Sequence, residues 1–297
     1  MTDARIIDSG YRRYDGPRLG SSHATVALWQ HTLRRIFGFG RPARWKLLPV
    51  LAVAIAYVPN IVFVGVIALL PEDQLRDALT PGYAFTYSFI TAAIALFVMF
   101  VAPEALCPDR RSGVLSLYLA TPLTRTRYIV AKGLAVFTAL LTVTLGPALI
   151  YLVGRAAQNA GPDGFVGFMT TLGKIALAGA LLAGFWTAFS VGASSLTDRK
   201  AVAAAIIFFV PTAVTIALLT TTDSLNAPQW LAAFSPSFFF PFSVFGLVLN
   251  LFGQSKDVTT DINYVVPWGA LAASTALWIA LGSAIAWFRY LRLRVTR

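Results

Sequence analysis

The sequence contains six long stretches that are almost free of charged side chains. A helix needs about 20 mainly apolar residues to cross the hydrocarbon core of a bilayer, and each stretch is long enough. Membrane-spanning strands alternate apolar and polar residues over about ten positions, whereas these stretches are continuously apolar, so helices are predicted. The predicted spans are Leu47–Leu70, Gly82–Ala102, Tyr128–Val153, Leu172–Leu196, Ala201–Thr222 and Val266–Phe288.

The composition agrees with this prediction. The chain has 297 residues, of which 57% are hydrophobic and 12% are charged, while soluble domains have about 25% charged residues. The sequence therefore predicts an all-α integral membrane protein. We divide it into a cytoplasmic N-terminal segment, residues 1–46, and a six-helix transmembrane domain, residues 47–297.

The positions of the basic residues predict the orientation of the spans. Cytoplasmic loops of membrane proteins are rich in Lys and Arg. If the N-terminal segment is cytoplasmic, 20 of the 24 basic residues fall on that side, and the four exceptions are Arg76, Arg155, Lys174 and Lys256. Both termini are therefore predicted to be cytoplasmic. The net charge of +11 is explained by this bias and by contact with anionic headgroups, so nucleic acid is not an expected partner.

The second half of the N-terminal segment has the pattern of an amphipathic helix. In the stretch HATVALWQHTLRRIF, five large apolar residues recur at helical spacing: Val26, Trp29, Leu33, Ile36 and Phe37. This pattern is typical of a helix that lies in the membrane interface. The alternative is a short soluble helix that packs on a partner.

The stretch Trp230–Phe252 is apolar and long enough to be a seventh span. Two prolines interrupt it, and proline breaks or kinks a helix. A seventh span would also place the basic C terminus outside. We therefore predict one or two short re-entrant or interfacial helices on the outer side, with an aromatic lid over a pathway. The predicted lid residues are Pro236, Phe238, Phe239, Phe240 and Pro241.

Small residues recur at every fourth position in two spans, which predicts close helix packing. In the fourth span they are Ala176, Ala180, Gly184, Ala188 and Gly192, and in the sixth they are Ala272, Ala276, Ala280 and Ala284.

The sequence shows no pattern typical of an enzyme. Ionisable residues are missing from the middle of the predicted spans, although ion-coupled transporters usually need them there. The single cysteine and the two histidines, His23 and His31, form no metal-binding pattern. The stretch GFMTTLGKI lacks the spacing and the final Ser or Thr of a phosphate-binding loop. We therefore expect no catalytic residue, metal or cofactor in this chain, and no ATP hydrolysis by it alone.

A charged segment, CPDRRSGVLSLYLATPLTRTRY, interrupts the apolar sequence between the second and third spans. Asp109 is placed to cap a short helix predicted over Arg110–Leu119, and Pro122 ends it. Three residues, Val114, Leu117 and Tyr118, would share one apolar side of this helix. The alternative is an ordinary basic loop.

This segment resembles the one that follows the second span in ABC-2 type transporter permeases. The resemblance lies in Asp109–Arg110, Gly113, the Leu-rich turn from Leu115 to Leu119, Pro122 and Lys132–Gly133. The stretch YRRYDGPRLG near the N terminus is also similar to the start of many bacterial permeases of this type. The order of amphipathic helix, six spans and proline-broken aromatic segment agrees along the whole chain.

The resemblance implies a permease half in the bacterial inner membrane that exports a hydrophobic or amphiphilic substrate. It implies a second, identical or related, permease half and two copies of a separate ATPase subunit, which would bind ATP and Mg. The segment Glu104–Arg127 would be a coupling helix in a groove of that ATPase, and the amphipathic helix would add a second contact. The residues assigned to the coupling interface are Glu104, Asp109, Arg110, Gly113, Val114, Leu117, Tyr118 and Pro122. Those assigned to the N-terminal interface are Tyr11, Arg13, Tyr14, Trp29 and Arg34. A secondary transporter or channel, a membrane scaffold and a polytopic enzyme remain the alternatives.

Overall fold

Helices make up almost all of the chain that the structure describes. This structure is a computed structural model, and it describes residues 16, 19–40, 42–43, 46–69, 81–238, 240–253 and 266–292. Within these ranges it contains no β-strand. The α-helices are, in order, α1 (Ser21–Ile36), α2 (Leu47–Leu69), α3 (Tyr83–Phe100), α4 (Cys107–Arg111), α5 (Leu115–Ala120), α6 (Arg125–Ala157), α7 (Gly164–Leu196), α8 (Lys200–Ser224), α9 (Ser243–Leu251) and α10 (Trp268–Arg292). Two 3-10 helices, Ala102–Ala105 and Gln229–Phe234, precede α4 and α9.

The prediction of six spans is confirmed. Within the described ranges, six helices are long and apolar enough to cross a membrane, namely α2, α3, α6, α7, α8 and α10. The predicted boundaries were too short for α6 and α7, which begin at Arg125 and Gly164. A helix satisfies its own backbone hydrogen bonds in water as well as in lipid, so it continues beyond its apolar residues. At the start of α6, the Thr124 hydroxyl accepts a hydrogen bond of 3.3 Å from the Arg127 backbone N–H.

Helix α7 is the centre of the bundle and packs along α6 and α10. Helices α7 and α10 pack tightly at two glycines, Gly192 and Gly282. A Cβ added to Gly192 would lie 2.7 Å from the Gly282 carbonyl oxygen. Of the predicted small residues of α7, Ala188 and Gly192 are buried at this contact, whereas Ala176 is exposed. Of those of α10, Ala276 and Ala280 are exposed, and Ala272 and Ala284 are half-buried. The predicted face of α10 was therefore wrong, because alanine is abundant on every side of these spans and its spacing does not identify one.

Helix α1 is amphipathic, as predicted, and it packs on the described bundle itself. It lies along α6 with Leu28, Thr32 and Ile36 buried, while Val26 from the predicted apolar side is 48% exposed. The Trp29 indole N–H donates a hydrogen bond of 3.3 Å to the Thr138 hydroxyl of α6. This contact fixes α1 against the third span.

The segment between α8 and α10 forms two short helices, as predicted, and neither is long enough to span. The 3-10 helix Gln229–Phe234 and α9 are joined by a non-helical stretch that contains Pro236 and Pro241. Buried hydrogen bonds hold this segment to both neighbouring spans. The Ser235 hydroxyl bonds to Thr215 of α8 at 2.6 Å, and Ser274 of α10 bonds to Ser243 at 3.1 Å.

Candidate functional site

The segment between α3 and α6, which we call the linker (residues 101–124), contains two short α-helices where one was predicted. Helix α4 ends at Arg111 and α5 begins at Leu115, so the predicted helix Arg110–Leu119 is wrong. Gly113 causes the break because its φ of 69° is left-handed, a conformation that glycine adopts easily and that commonly ends a helix. The linker therefore turns sharply at Gly113.

Asp109 does not cap a helix, contrary to the prediction. It lies in the first turn of α4, is 1% exposed and makes no capping hydrogen bond. Its carboxylate instead accepts a hydrogen bond of 2.7 Å from Arg35 Nη1 and one of 2.9 Å from the Tyr128 hydroxyl. Lys132 Nζ lies 2.7 Å from the same carboxylate. Asp109 thus joins α1, the linker and α6 at one buried point.

The second carboxylate of the linker, Glu104, connects two further helices. It lies in the 3-10 helix Ala102–Ala105, is 8% exposed and forms an ion pair with Lys200 at the start of α8. Its other oxygen is 4.0 Å from Arg35 Nε. Arg35 therefore lies between both acids of the linker, and we call this group (Arg35, Glu104, Asp109, Lys132 and Lys200) the charge cluster.

Arg110 binds the end of α7. Its guanidinium donates hydrogen bonds to the carbonyl oxygens of Ser195 and Thr197, the latter at 3.2 Å. The last carbonyls of a helix have no partner within the helix, so a cation there satisfies them and interacts favourably with the helix dipole. Arg110 was predicted to face a partner subunit, but its contacts are made within the described chain.

A row of three tyrosines continues the linker contacts towards α10. The ring of Tyr118 lies 5.9 Å from that of Tyr128, which lies 5.6 Å from that of Tyr290. Burial raises the pKa of the Tyr118 hydroxyl, and the nearby Asp109 carboxylate adds to this effect, so the hydroxyl stays neutral. The linker therefore contacts the ends of α1, α6, α7 and α8, and Tyr128 of α6 connects it to α10.

The three residues that were predicted to form one apolar side of a helix in the linker differ in their exposure. Tyr118 and Val114 are half-buried, whereas Leu117 is 66% exposed. The neighbouring outward surface consists of further exposed residues, which are Arg111, Ser112, Gly113, Ser116, Ala120, Thr121 and Pro122. Of the predicted interface residues, Leu117, Gly113 and Pro122 thus remain available to a partner, and Glu104, Asp109 and Arg110 are turned inward.

The predicted N-terminal interface is described only in part. Arg34 is exposed on α1, and Trp29 is half-buried against α6. Tyr11, Arg13 and Tyr14 lie outside the described residues.

The predicted lid residues do not share one environment. Phe238 is 4% exposed and its ring stacks on that of Trp186 in α7, with centroids 3.8 Å apart and an interplanar angle of 7°. Pro236 is buried, Pro241 is half-buried, and Phe240 is 39% exposed. Phe239 lies outside the described residues. Phe238 is therefore part of the packed bundle, and Phe240 is the lid candidate with an accessible side chain.

Sequence reasoning missed Arg35, Lys132, Tyr128 and Lys200 as partners of the linker acids. One signal was available for Lys132, because a lysine within an apolar span requires an anionic or polar partner. Glu104 and Asp109 are the acids nearest to it along the chain.

The six spans and the helical linker define a multi-pass membrane protein. Residues 71–284, well over half of the chain, match the family described as ABC-2 family transporter protein. The chain therefore belongs to the ABC-2 transporter family and is an ABC transporter membrane subunit. This family is a membrane component of transporters and not an ATPase. No match was found among curated proteins.

Proposed function

We propose that this chain is a permease half of an exporter and that a separate ATPase subunit moves its spans through the linker. The ATPase would bind ATP and Mg and contact the outward surface around Leu117. A second permease half, identical or related, would complete the pathway. Both termini and the linker would then face the cytoplasm, in the inner membrane of a bacterium.

The observation that best supports this proposal is the set of buried contacts made by the linker. Asp109 binds α1 and α6, Glu104 binds α8, and Arg110 binds α7. Breaking a buried ion pair is costly because it leaves a charge uncompensated. A displacement of the linker would therefore move the ends of these helices with it.

The charge distribution supports a hydrophobic or amphiphilic substrate. The three lysines that fall within the described spans, Lys132, Lys174 and Lys200, lie towards the ends of α6, α7 and α8. A pathway between such spans offers few charged groups, so it favours cargo with a large apolar part. The predicted lid at Phe240 belongs to the same proposal.

Leu117→Ala tests the docking surface. Truncating a central contact of an interface commonly costs about 2 kcal/mol or more, which corresponds to at least about tenfold weaker binding. We expect the variant to insert normally, to retain less of its ATPase on co-purification and to transport more slowly. Leu117 makes few contacts within the chain, so the fold of the variant should be unchanged.

Leu69→Ala is the matched control. Leu69 is 85% exposed at the far end of α2, so it is also an exposed leucine, and the variant should bind the ATPase normally. If Leu117→Ala binds its ATPase and transports like the wild type, docking at Leu117 is refuted. Transport that continues without ATP would instead favour a secondary transporter.

A further inference from the structure

A cleft opens beside the charge cluster at the ends of the spans. It has a volume of about 290 Å³ and lies between the end of α1, the start of α2, the end of α3 and the start of α8. Eight of its lining residues are apolar, which are Ile36, Leu48, Pro49, Met99, Phe100, Val101, Ala201 and Ala204. The other three are Arg35, Glu104 and Lys200. The cleft thus has a charged end and an apolar wall made by membrane-spanning helices.

The described charges around this end are not balanced. Two cations, Arg35 and Lys200, line the cleft together with one carboxylate, that of Glu104, while Asp109 behind it pairs with Arg35 and Lys132. Lys132 is fully buried, but the side chains of Arg35 and Lys200 are 18% and 39% exposed. Arg35 Nε is buried without a hydrogen-bond partner among the described atoms. An anion that enters the cleft would therefore meet more cationic than anionic groups.

The position of the cleft indicates which kind of anion would bind there. It lies where three spans end or begin, which is the depth at which lipid headgroups meet the hydrocarbon core. Helix α1 lies at the same level, and its exposed Arg34 and His31 line a second hollow with Arg35 and Phe39. Basic residues beside an exposed aromatic ring are typical of a surface that contacts headgroups.

We propose that this cleft binds an anionic phospholipid, with its phosphate at Arg35 and Lys200 and an acyl chain along the apolar wall. The lipid supplies the missing negative charge and covers apolar surface, and burial of that surface favours binding. A small soluble anion would satisfy the cations and leave the wall uncovered. The site does not depend on docking of an ATPase, so this proposal is tested independently of the proposed function.

The headgroup contact is tested by native mass spectrometry. The full chain is reconstituted in a membrane with equal amounts of phosphatidylglycerol and phosphatidylcholine, then released and analysed for retained lipid. The wild type should retain phosphatidylglycerol selectively. Lys200→Gln should lower this preference about fivefold, since a basic residue near the surface contributes about 1 kcal/mol to anionic lipid binding. Arg199→Gln removes the same charge from the exposed neighbouring position and should leave the preference unchanged.

The acyl-chain contact is tested by a substitution whose larger side chain fills the cleft. Ala204 lines the cleft, so Ala204→Phe should reduce retention of phosphatidylglycerol several-fold. Ala213 is exposed further along the same helix, and Ala213→Phe is the control with normal retention. Thermal unfolding of each variant checks that it is folded. If Ala204→Phe does not fold, the lipid preference of Lys200→Gln alone tests the proposal.

Three results would overturn the proposal. The first is equal retention of the two lipids by the wild type. The second is a loss of preference that is the same in Arg199→Gln as in Lys200→Gln, which indicates nonspecific charge attraction. The third is stabilisation by inorganic phosphate that equals that by phosphatidylglycerol and persists in Ala204→Phe, which indicates a site for a soluble anion.

Discussion

Asp109 and Lys132 form an ion pair of 2.7 Å in which the two residues are 1% and 0% exposed. Removing two charges from water is costly, so such a pair stabilises a protein little when compared with an apolar pair of similar size. Separating it is strongly unfavourable, however, because each charge is then left uncompensated. The pair therefore fixes the position of the linker relative to α6, the third span.

The first prediction concerns the coupling between these two residues. Asp109→Ala leaves Lys132 and Arg35 without their shared carboxylate, so the free energy of unfolding should fall by about 3–5 kcal/mol. Lys132→Met should cost less because Asp109 keeps Arg35 and Tyr128. The double variant should be more stable than the sum of the single changes predicts, since both buried charges are gone. Unfolding of the four proteins in detergent measures this, and strictly additive losses would show that the pair is not coupled.

The second prediction concerns the turn at Gly113. A residue with a Cβ costs about 1–2 kcal/mol in the left-handed conformation, so Gly113→Ala should destabilise the linker although the added atom has open space. Gly133→Ala is the control, because Gly133 also has open space but lies inside α6, where alanine is favoured by about 1 kcal/mol. Thermal unfolding should therefore shift in opposite directions for the two variants. Unchanged or higher thermal stability of Gly113→Ala would exclude backbone strain at this turn.

The sequence predicted the spans and α1 because both depend on local patterns. A run of apolar residues needs no knowledge of its neighbours to indicate a span. The charge cluster is different, since Arg35 and Asp109 are 74 positions apart and Arg110 and Ser195 are 85 apart. Such partners become visible only when the helices are packed.

The incorrect assignment of Asp109 has a local cause. The prediction placed the start of the helix after Pro108, which made Asp109 its cap. Helix α4 begins at Cys107 and has Pro108 in its first turn, a position where proline is well tolerated because its missing N–H has no helical partner. Asp109 is consequently three positions further into the helix than predicted, and its side chain binds the cations.

The third prediction concerns orientation and rests on the asymmetry of the basic residues. In a Cys107→Ser background, single cysteines are placed at Ser112 in the linker and Ser224 at the end of α8, both of which are exposed. An impermeant thiol reagent applied to intact cells should label only the cysteine at Ser224. Both should react after the membrane is opened, which serves as the accessibility control. Labelling at Ser112 in intact cells would invert the topology and contradict docking of a cytoplasmic ATPase there.

The wild-type protein provides a further control for this experiment. Cys107 is completely buried in α4. It should therefore remain unlabelled in both intact and opened cells.

The last prediction separates packing from gating in the aromatic segment. Phe238 stacks on Trp186 inside the bundle, and truncation of a buried phenylalanine typically costs about 3–5 kcal/mol, so Phe238→Ala should lower thermal stability and transport together. Phe240 is 39% exposed, and Phe240→Ala should leave stability and ATPase binding almost unchanged while it alters the transport rate. Trp186→Ala, which removes the other ring of the stack, should resemble Phe238→Ala. If Phe240→Ala transports at the wild-type rate, Phe240 is not part of a lid; if it unfolds as readily as Phe238→Ala, its role is structural.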